Sequence, residues 1–260
     1  MTILDRFNRH SFWKRVTAAG GRQFAVPTFD RWLYVRLHAL QWMGGDVPRL
    51  ARHIRPGMTV VDVGANIGYY TLVFAGLVGP RGRVLAFEPD PDLYAAAVEN
   101  VRRNGKAEIV QLHRCALGAQ TAVMHLLRGH VNSGDNRLRR EVPHSPRAVA
   151  VPVKRLDDVI GGAAVDVIKI DVQGWECDVL EGMSGTLARY AASIKVYFEF
   201  WPRGIREAGR NPMDAVAMLR RAGCSLYRRG SEAPLSDAEL EQFCRNAGRL
   251  TSLNLLAYRG

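Results

Sequence analysis

Residues 60–70 of the chain are Val-Val-Asp-Val-Gly-Ala-Asn-Ile-Gly-Tyr-Tyr. An apolar run of this kind is typical of a β-strand that is buried on both faces. The glycines at positions 64 and 68 allow the backbone to turn tightly and to approach a ligand without interference from a Cβ atom. The apolar residues that follow predict a helix. The stretch therefore predicts a strand–turn–helix unit, which is a building block of parallel α/β sheets.

The rest of the chain continues this alternation of strands and helices. Strands are predicted over Thr59–Val63, Arg83–Phe87, Ile109–His113, Val165–Ile170 and Ile194–Phe200. Helices are predicted over Tyr69–Leu77, Pro91–Asn104, Gly174–Met183 and Asn211–Arg221. Residues 118–153 interrupt the rhythm with two further strands, and residues 224–258 predict a closing antiparallel pair around a helix. The pattern indicates the α/β class with a doubly wound, mostly parallel sheet.

Composition limits the protein class only weakly. The 260 residues are 47% hydrophobic and 23% charged, and the formal net charge is +11. Because the arginines are scattered, a generally basic surface accounts for the charge, and an acidic substrate, a membrane surface or a nucleic acid stays as the alternative. The four cysteines have no paired spacing and no apolar run is long enough for a transmembrane segment. We expect a cytoplasmic protein.

An acid follows the second predicted strand. Glu88 lies 20 residues beyond Gly68, where a carboxylate holds the hydroxyls of a bound ribose in many nucleotide-binding folds. The alternative is that Glu88 caps the helix that Pro91 opens. The glycine turn before it favours ribose binding.

The turn itself distinguishes between two nucleotides. A dinucleotide site requires Gly-x-Gly-x-x-Gly, so that a pyrophosphate can rest on the helix N-terminus. Here only Gly64 and Gly68 are present, and Asp62 precedes them. An acid at the end of the strand would repel a pyrophosphate but suits the ammonium or sulfonium group of S-adenosylmethionine. The sequence therefore favours this methyl donor as the cofactor.

Several motifs in order resemble the FkbM family of S-adenosylmethionine-dependent O-methyltransferases. The similar segments between residues 58 and 202 are Asp62–Thr71, Phe87–Pro89, Asn100, Asn104, Ala116–Gly118, Asn132–Gly134, Leu156–Asp157, Ile168–Glu176 and Phe198–Phe200. The resemblance implies a Rossmann-like class I methyltransferase fold with seven strands, which would occupy residues 56–260. Residues 1–55 would be an N-terminal helical and β extension.

The resemblance also implies roles for individual residues. Cofactor contacts are expected from Asp62, Gly64, Asn66, Gly68, Glu88, Cys115, Ala116 and Asp171. Of these, Cys115 and Ala116 would lie against the adenine. Cys115 stands where many relatives have an acid, and its alternative role is that of a small buried apolar residue.

Catalysis is expected at the ends of the fourth and fifth strands. Asp171 and Glu199 would lie near the methyl group, where a carboxylate takes or orients the proton of a hydroxyl or binds Mg²⁺ or Mn²⁺. Salt bridges to nearby basic residues are the structural alternative for both. His130 is a further catalytic candidate, and Asn132-Ser133 would contact substrate at the rim. Glu176 is expected to tie a helix N-terminus to the strand end.

The extension has two predicted parts. Residues 1–20 have apolar side chains at helical spacing, so an amphipathic helix is expected to contact a membrane surface or, in a homo-oligomer, a partner subunit. Residues 22–34 favour β-structure. Phe24, Phe29, Trp32 and Tyr34 would either form a lid over the acceptor or pack against the edge of the sheet.

The function expected from these observations is O-methylation of a hydroxyl on a small molecule, a sugar or glycan, or a polyketide-type natural product. A nucleic-acid methyltransferase is the first alternative. Amino-methylating enzymes of that kind carry Asp/Asn-Pro-Pro-aromatic after the fourth strand, whereas this chain has Asp171-Val172-Gln173-Gly174. The second alternative is a cofactor-binding protein without catalytic activity.

Overall fold

A computed structural model describes residues 13–17, 21–27, 46–130, 132–142, 144–248 and 251–260. Its main sheet has seven strands, and all five strands predicted for the parallel sheet are present with ends shifted by at most two residues. The seven strands are β3 (Thr59–Val63), β4 (Arg83–Phe87), β5 (Val110–His113), β10 (Val167–Ile170), β11 (Lys195–Phe200), β12 (Ser225–Arg228) and β13 (Leu253–Tyr258).

The strand order is β12-β13-β11-β10-β3-β4-β5. Neighbours from β5 to β11 pair in parallel, whereas β13 runs antiparallel between β11 and β12. The order reverses at β3, because the chain moves outward from β3 to β5 and then returns to β10 on the other side. Ligands of open α/β sheets bind outside the carboxyl ends of the strands at such a switch point. The predicted doubly wound α/β fold is confirmed.

Helices cover both faces of the sheet. They are α1 (Val47–Ala51), α2 (Tyr69–Val78), α3 (Pro91–Arg103), α4 (Leu156–Ile160), α5 (Glu176–Gly182), α6 (Ser184–Tyr190), α7 (Pro202–Glu207), α8 (Pro212–Arg221) and α9 (Asp237–Asn246). Two apolar layers result, one containing Phe74 and Val84 and the other containing Phe198 and Leu180. None of the helices in the described ranges has the length and apolar character needed to cross a membrane.

The insertion after β5 forms a small sheet of its own. Its strands are β6 (Ala116–Leu117), β7 (Ala122–Leu127), β8 (Arg137–Arg139) and β9 (Ala148–Lys154), in the order β6-β9-β7-β8. The guanidinium of Arg128 donates to both carboxylate oxygens of Asp90, at 2.6 and 2.9 Å, and Asp90 also caps α3. This ion pair attaches the insertion to the carboxyl end of β4, beside the predicted site.

A hairpin of β1 (Trp13–Thr17) and β2 (Gln23–Pro27) forms the described part of the N-terminal extension before α1. The predicted helix over residues 1–20 is therefore wrong for Trp13–Thr17. In so short a segment the apolar positions fit the helical and the strand periodicity equally well. The backbone pairing of five residues with β2 makes the segment a strand. Residues 1–12 and 18–20, which complete the predicted helix, lie outside the described residues.

Phe24 packs rather than forming a lid. Its side chain is 1% exposed and its ring stacks on that of Tyr69, with centroids 5.7 Å apart. Of the two roles predicted for the aromatic residues of the extension, packing is thus confirmed for Phe24. Phe29, Trp32 and Tyr34 lie outside the described residues.

Asn100 in α3 and Asn104, the C-cap residue of α3, form hydrogen bonds with the backbone of β2. Asn100 Oδ1 accepts from the Ala25 amide at 2.6 Å, and Asn100 Nδ2 donates to the Ala25 carbonyl at 3.3 Å. Asn104 makes the same pair of contacts with Gln23, at 3.2 and 2.8 Å. Asn100 Nδ2 also donates to the Ile67 carbonyl at 2.8 Å, inside the glycine turn. The fully buried Asn100 therefore joins the extension to the turn.

Replacing Asn100 by alanine should destabilise the fold strongly. The change leaves the Ala25 amide and the Ala25 and Ile67 carbonyls without their partner in a buried place, and we expect a loss of about 2–4 kcal/mol in unfolding free energy. Asn104→Ala is the matched control, because Asn104 is only half-buried, and should lose about 0.5–1.5 kcal/mol. Urea denaturation followed by circular dichroism measures both. Equal losses would contradict the central role of Asn100.

Candidate functional site

The glycine turn between β3 and α2 approaches the end of β10 closely. Gly64, Asn66 and Gly68 all adopt left-handed backbone conformations, with φ values of 80°, 52° and 85°. A Cβ atom at position 64 would overlap the carbonyl oxygen of Asp171. Glycine is therefore required at position 64 both by conformation and by space. This contact brings the turn and Asp171 to one edge of the sheet, as the sequence predicts.

Glu88 also meets the glycine turn. Its Oε2 accepts from the backbone amide of Asn66 at 2.7 Å, and its Oε1 accepts from the amide of Asp90 at 2.9 Å. Burial raises the pKa of Glu88 to about 8, although both backbone hydrogen bonds act in the opposite direction. The carboxyl group is thus held in a fixed orientation at the tip of β4. Helix α3 is capped by Asp90 instead, so the alternative role of Glu88 as the cap is wrong.

Asp62 lies inside the sheet, one residue before the end of β3. Its side chain is fully buried, with Oδ1 3.2 Å from Lys169 Nζ and Oδ2 accepting from Thr71 Oγ1 at 2.6 Å. Burial lowers the pKa of Lys169, but the attraction of Asp62 and Asp171 outweighs it and the pKa is raised. The expectation that the Asp62 side chain lines the cofactor cleft is therefore corrected, because its carboxylate is enclosed by Lys169 and Thr71.

Asp171 and Glu199 are brought together through Gln173. Gln173 Nε2 donates to Asp171 Oδ1 at 2.9 Å and to Glu199 Oε2 at 2.7 Å. Ser252 Oγ donates to the other oxygen of Glu199 at 2.8 Å. Burial and the neighbouring Asp171 raise the pKa of Glu199 to about 7. The predicted carboxylate pair is present, with an amide bridge between its members.

The bridging amide argues against the predicted metal site. A Mg²⁺ or Mn²⁺ ion shared by Asp171 and Glu199 requires oxygen ligands around it, whereas the described structure has the two N–H bonds of Gln173 directed at these carboxylates. Across the part of the chain that the structure describes, no three His, Cys, Asp or Glu side chains are grouped to hold a metal ion. The residues present do not fit a divalent metal here.

The glycine turn, Glu88, Asp171, Gln173 and Glu199 line one cleft, which has a volume of about 680 Å³. It extends from Glu88 and the glycine turn, past Ala116 and the insertion, to Asp171 and Glu199. Asn66 Nδ2 donates to Ser133 Oγ at 2.9 Å, so that the insertion closes one side, and Asn132 and Ser133 lie at the cleft as expected. The volume falls within the range of about 300–1,000 Å³ of small-molecule sites.

Two predicted site residues do not line the cleft. Cys115 is buried in the apolar layer, which is the alternative weighed for it, while the next residue, Ala116, does face the cleft. His130 is exposed to solvent on the insertion. It follows the end of β7 at Leu127 and is not among the residues that line the cleft, so its catalytic role stays a prediction.

Other lining residues could not be identified from the sequence. Lys169 is the exception, because it lies two residues before Asp171 and residues at this spacing share one face of the sheet. Gln173 had no signal in the sequence, since its left-handed backbone, with φ of 54°, aims its side chain back at Asp171. Asp46, Tyr197 and Asn254 come from three separate elements and meet only in the folded chain.

Glu176 holds the backbone behind the site, as predicted. It is completely buried, and its Oε1 accepts from the Gly174 amide at 3.1 Å. Its Oε2 has no hydrogen-bond partner among the described residues. Burial raises the pKa of Glu176 to about 8, which the nearby charges of Glu199 and Asp171 reinforce.

The fold and the cleft define the class of protein. A seven-stranded sheet with one antiparallel strand, a glycine turn after β3 and an acid after β4 form the Rossmann-like fold of class I methyltransferases. The chain belongs to the FkbM methyltransferase family, whose methyltransferase FkbM domain model matches residues 62–226.

Two curated relatives illustrate the family. The chain is 33% identical over 161 residues to the 31-O-demethyl-FK506 methyltransferase FkbM of Streptomyces tacrolimicus, covering 50% of this chain and 61% of the relative. It is 26% identical over 185 residues to the 2-O-methyltransferase NoeI of Sinorhizobium fredii, covering 64% and 72%. Three further curated methyltransferases are matched over only 27% to 57% of their own length.

A solved structure supports the fold alone. A Clostridium thermocellum protein described as a candidate rRNA methylase superposes with a TM-score of 0.53 at 12% identity, covering 84% of this chain and 97% of that protein. The two proteins therefore share their architecture.

The buried Glu176 should make the stability depend on pH. The pKa of Glu176 is near 4.5 in the unfolded chain and about 8 in the folded state, so the folded state holds the proton more tightly. The unfolding free energy should therefore fall as pH rises from about 4.5 to about 8. Glu176→Gln can keep the contact with Gly174 but cannot titrate. The variant should therefore lack this loss of unfolding free energy, which is on the order of 3 kcal/mol at pH 8. Urea denaturation at pH 5 and pH 8 measures it. Glu181→Gln, half-exposed on α5, is the control, and equal slopes in all three proteins would contradict the assignment.

Proposed function

We propose that this protein transfers a methyl group from S-adenosylmethionine to a hydroxyl group of a small molecule or glycan. The observation that carries the proposal is the meeting of the glycine turn, the buried Glu88 and the half-exposed Asp171 around one cleft at the switch point of the sheet. When bound, S-adenosylmethionine supplies an electrophilic methyl group on a sulfonium.

The charge of the cleft fits a cationic cofactor. Among the described residues that line it, five are acids (Asp46, Glu88, Asp135, Asp171 and Glu199) and one, Lys169, is basic. Lys169 is already paired with Asp62. Even with Glu88 and Glu199 partly protonated by their raised pKa values, three aspartates face one paired lysine. The cleft is therefore acidic within a chain whose net charge is +11, which favours a sulfonium and an ammonium and disfavours a pyrophosphate.

The chain's residues would hold the cofactor at two ends. The backbone of Gly64–Gly68 approaches without side-chain interference, and Glu88 offers a carboxyl group, fixed by two amides, to the ribose hydroxyls. Ala116 provides a small apolar surface for the base. Asp171 and Glu199 line the far end, where the acceptor would meet the methyl group.

Asp171 is the proposed general base. Its side chain is 41% exposed and its Oδ2 lies 3.8 Å from Lys169 Nζ, while Gln173 fixes Oδ1. Oδ2 can accept the proton that the acceptor hydroxyl loses as its oxygen bonds to the methyl carbon. Methyl transfer is a displacement that depends mainly on alignment, so the fixed carboxylate would both orient the hydroxyl and remove its proton.

The names of the relatives support an oxygen acceptor. The FkbM relative is named for an oxygen of FK506, and the NoeI relative is named a 2-O-methyltransferase. The acidic cleft disfavours a polyanion such as a nucleic acid, which was the main alternative from the net charge.

Glu88→Ala should weaken binding of S-adenosylmethionine and S-adenosylhomocysteine by about ten- to a hundredfold. The change removes a carboxyl group that can bind both ribose hydroxyls, at about 0.5–1.5 kcal/mol for each hydrogen bond. Isothermal titration measures the affinity, with circular dichroism to establish that the variant is folded. Glu108→Ala, which removes an exposed carboxylate before β5, is the control. Unchanged affinity in folded Glu88→Ala would refute the ribose assignment.

Asp171→Asn should reduce methyl transfer by roughly a hundredfold or more while leaving cofactor affinity within a few fold. The shape and the hydrogen bond with Gln173 can persist, whereas the proton acceptor is lost. Release of S-adenosylhomocysteine in the presence of a panel of neutral glycosides and macrolide alcohols measures turnover. Asp158→Asn, on the exposed face of α4, is the control. Full activity of Asp171→Asn would leave Asp171 without a role in proton transfer.

A further inference from the structure

Two buried polar atoms at one end of the cleft, Asp46 Oδ1 and Tyr197 Oη, have no hydrogen-bond partner of good geometry among the described residues, although the two side chains lie close enough to interact with each other. Their residues are 6% and 4% exposed. An unpaired polar group in a buried place destabilises a fold, and native proteins keep few of them. Because both residues line the cleft, a ligand there can supply the missing partners.

The surrounding contacts hold these atoms in place. Asn254 Nδ2 donates to Asp46 Oδ2 at 2.7 Å, which leaves Oδ1 as the available acceptor. Arg49 donates to the carbonyl oxygens of Asn254 and Tyr227, at 3.2 and 2.8 Å, and so supports the group from outside the cleft. We call Asp46, Tyr197 and Asn254 the Asp46 subsite.

The sheet register places the Asp46 subsite beside the proposed base. Tyr197 pairs with Lys169, and Asn254 pairs with Glu199. Paired residues of adjacent strands point to the same face of a sheet, and adjacent strands lie about 4.8 Å apart. The subsite is thus one strand away from Asp171 on the same face, at a distance that one acceptor molecule can span.

The chemistry of the subsite selects the ligand. A carboxylate oxygen requires a donor, either a hydroxyl or an amine. Burial and the contact of its hydroxyl with the Asp46 carboxylate raise the pKa of Tyr197, so its phenol stays neutral and can donate or accept. Asp171 adds a further carboxylate beside the subsite, and Lys169 is paired with Asp62. An anionic group would be repelled here, because it would meet carboxylates without a free cation among the lining residues described.

We propose that the Asp46 subsite binds a second hydroxyl or amino group of the acceptor, and that it selects neutral or amine-bearing polyols against acidic ones. Asp46 accepts the hydrogen bond from the acceptor, and Tyr197 and Asn254 orient the same group. The inference rests on the proposed function, since it takes the acceptor to lie between Asp171 and this subsite.

Binding of three probes tests the proposal without knowledge of the natural acceptor. The probes are methyl α-D-glucopyranoside, D-glucosamine and methyl α-D-glucopyranosiduronate, each added to the full chain saturated with S-adenosylhomocysteine. Saturation-transfer NMR titrations should detect the neutral and amine probes, and should show at least tenfold weaker binding of the uronate.

Two variants assign the selectivity to the subsite. Asp46→Asn can keep the contact with Asn254 while turning the free acceptor into a donor, and should weaken the neutral and amine probes at least tenfold. Tyr197→Phe removes only the unpaired hydroxyl, and should weaken them while leaving the melting temperature unchanged or raised. Tyr190→Phe is the matched control: its hydroxyl donates to the Gly162 carbonyl at 2.6 Å, so this change should lower the melting temperature and leave probe binding intact.

Three results would each overturn the proposal: no neutral or amine probe binds, the uronate binds as well as the neutral glycoside, or the variants bind the probes like the unmodified protein. A fall in the melting temperature of Tyr197→Phe equal to that of Tyr190→Phe would also overturn it, since the hydroxyl would then have an internal partner. If S-adenosylhomocysteine does not bind at all, the proposed function fails first. If it binds and the probes do not discriminate, only the subsite fails.

Discussion

The buried ion pair between Asp62 and Lys169 is the interaction on which the site depends. The two residues face each other in register on adjacent strands at the centre of the sheet, 3.2 Å apart and almost without exposure. A buried pair contributes little net stability, but the loss of one partner leaves an uncompensated charge and is strongly destabilising. The pair therefore fixes β3 and β10 relative to each other. The glycine turn follows β3 and Asp171 follows β10. The relative position of the turn and Asp171 therefore depends on this ion pair.

The same pair determines the electrostatics of the cleft. It neutralises Lys169, and the described residues that line the cleft include no other basic side chain to pair with the carboxylates at the edge of the sheet. Most of the arginines that give the chain its positive charge lie on the outside, whereas the cleft is acidic. Net charge alone left acidic ligands open as an alternative to a generally basic surface. The local arrangement points the other way, toward a cationic donor and an acceptor that brings hydrogen-bond donors.

The sequence predicted what depends on neighbours along the chain and missed what depends on distant ones. The strand ends, the glycine turn, Glu88 and Asp171 all follow from local patterns, and the structure brings them together. Asp62 was misplaced because hydrophobic periodicity does not reveal that a lysine 107 residues away encloses it. Trp13–Thr17 was predicted as helix because its pairing with β2 cannot be read from five residues. Asp46 precedes α1, Tyr197 lies in β11 and Asn254 in β13, and no local spacing relates them.

We propose that one cleft at the switch point holds the methyl donor between Glu88 and Asp171. A crystal structure of the protein with S-adenosylhomocysteine tests it most directly. We expect the ribose hydroxyls to lie within hydrogen-bond distance of Glu88 and the homocysteine to lie along Gly64–Gly68. The sulfur should be directed toward Asp171 and the Asp46 subsite. Density for the ligand elsewhere, or a ribose bound without Glu88, would contradict it.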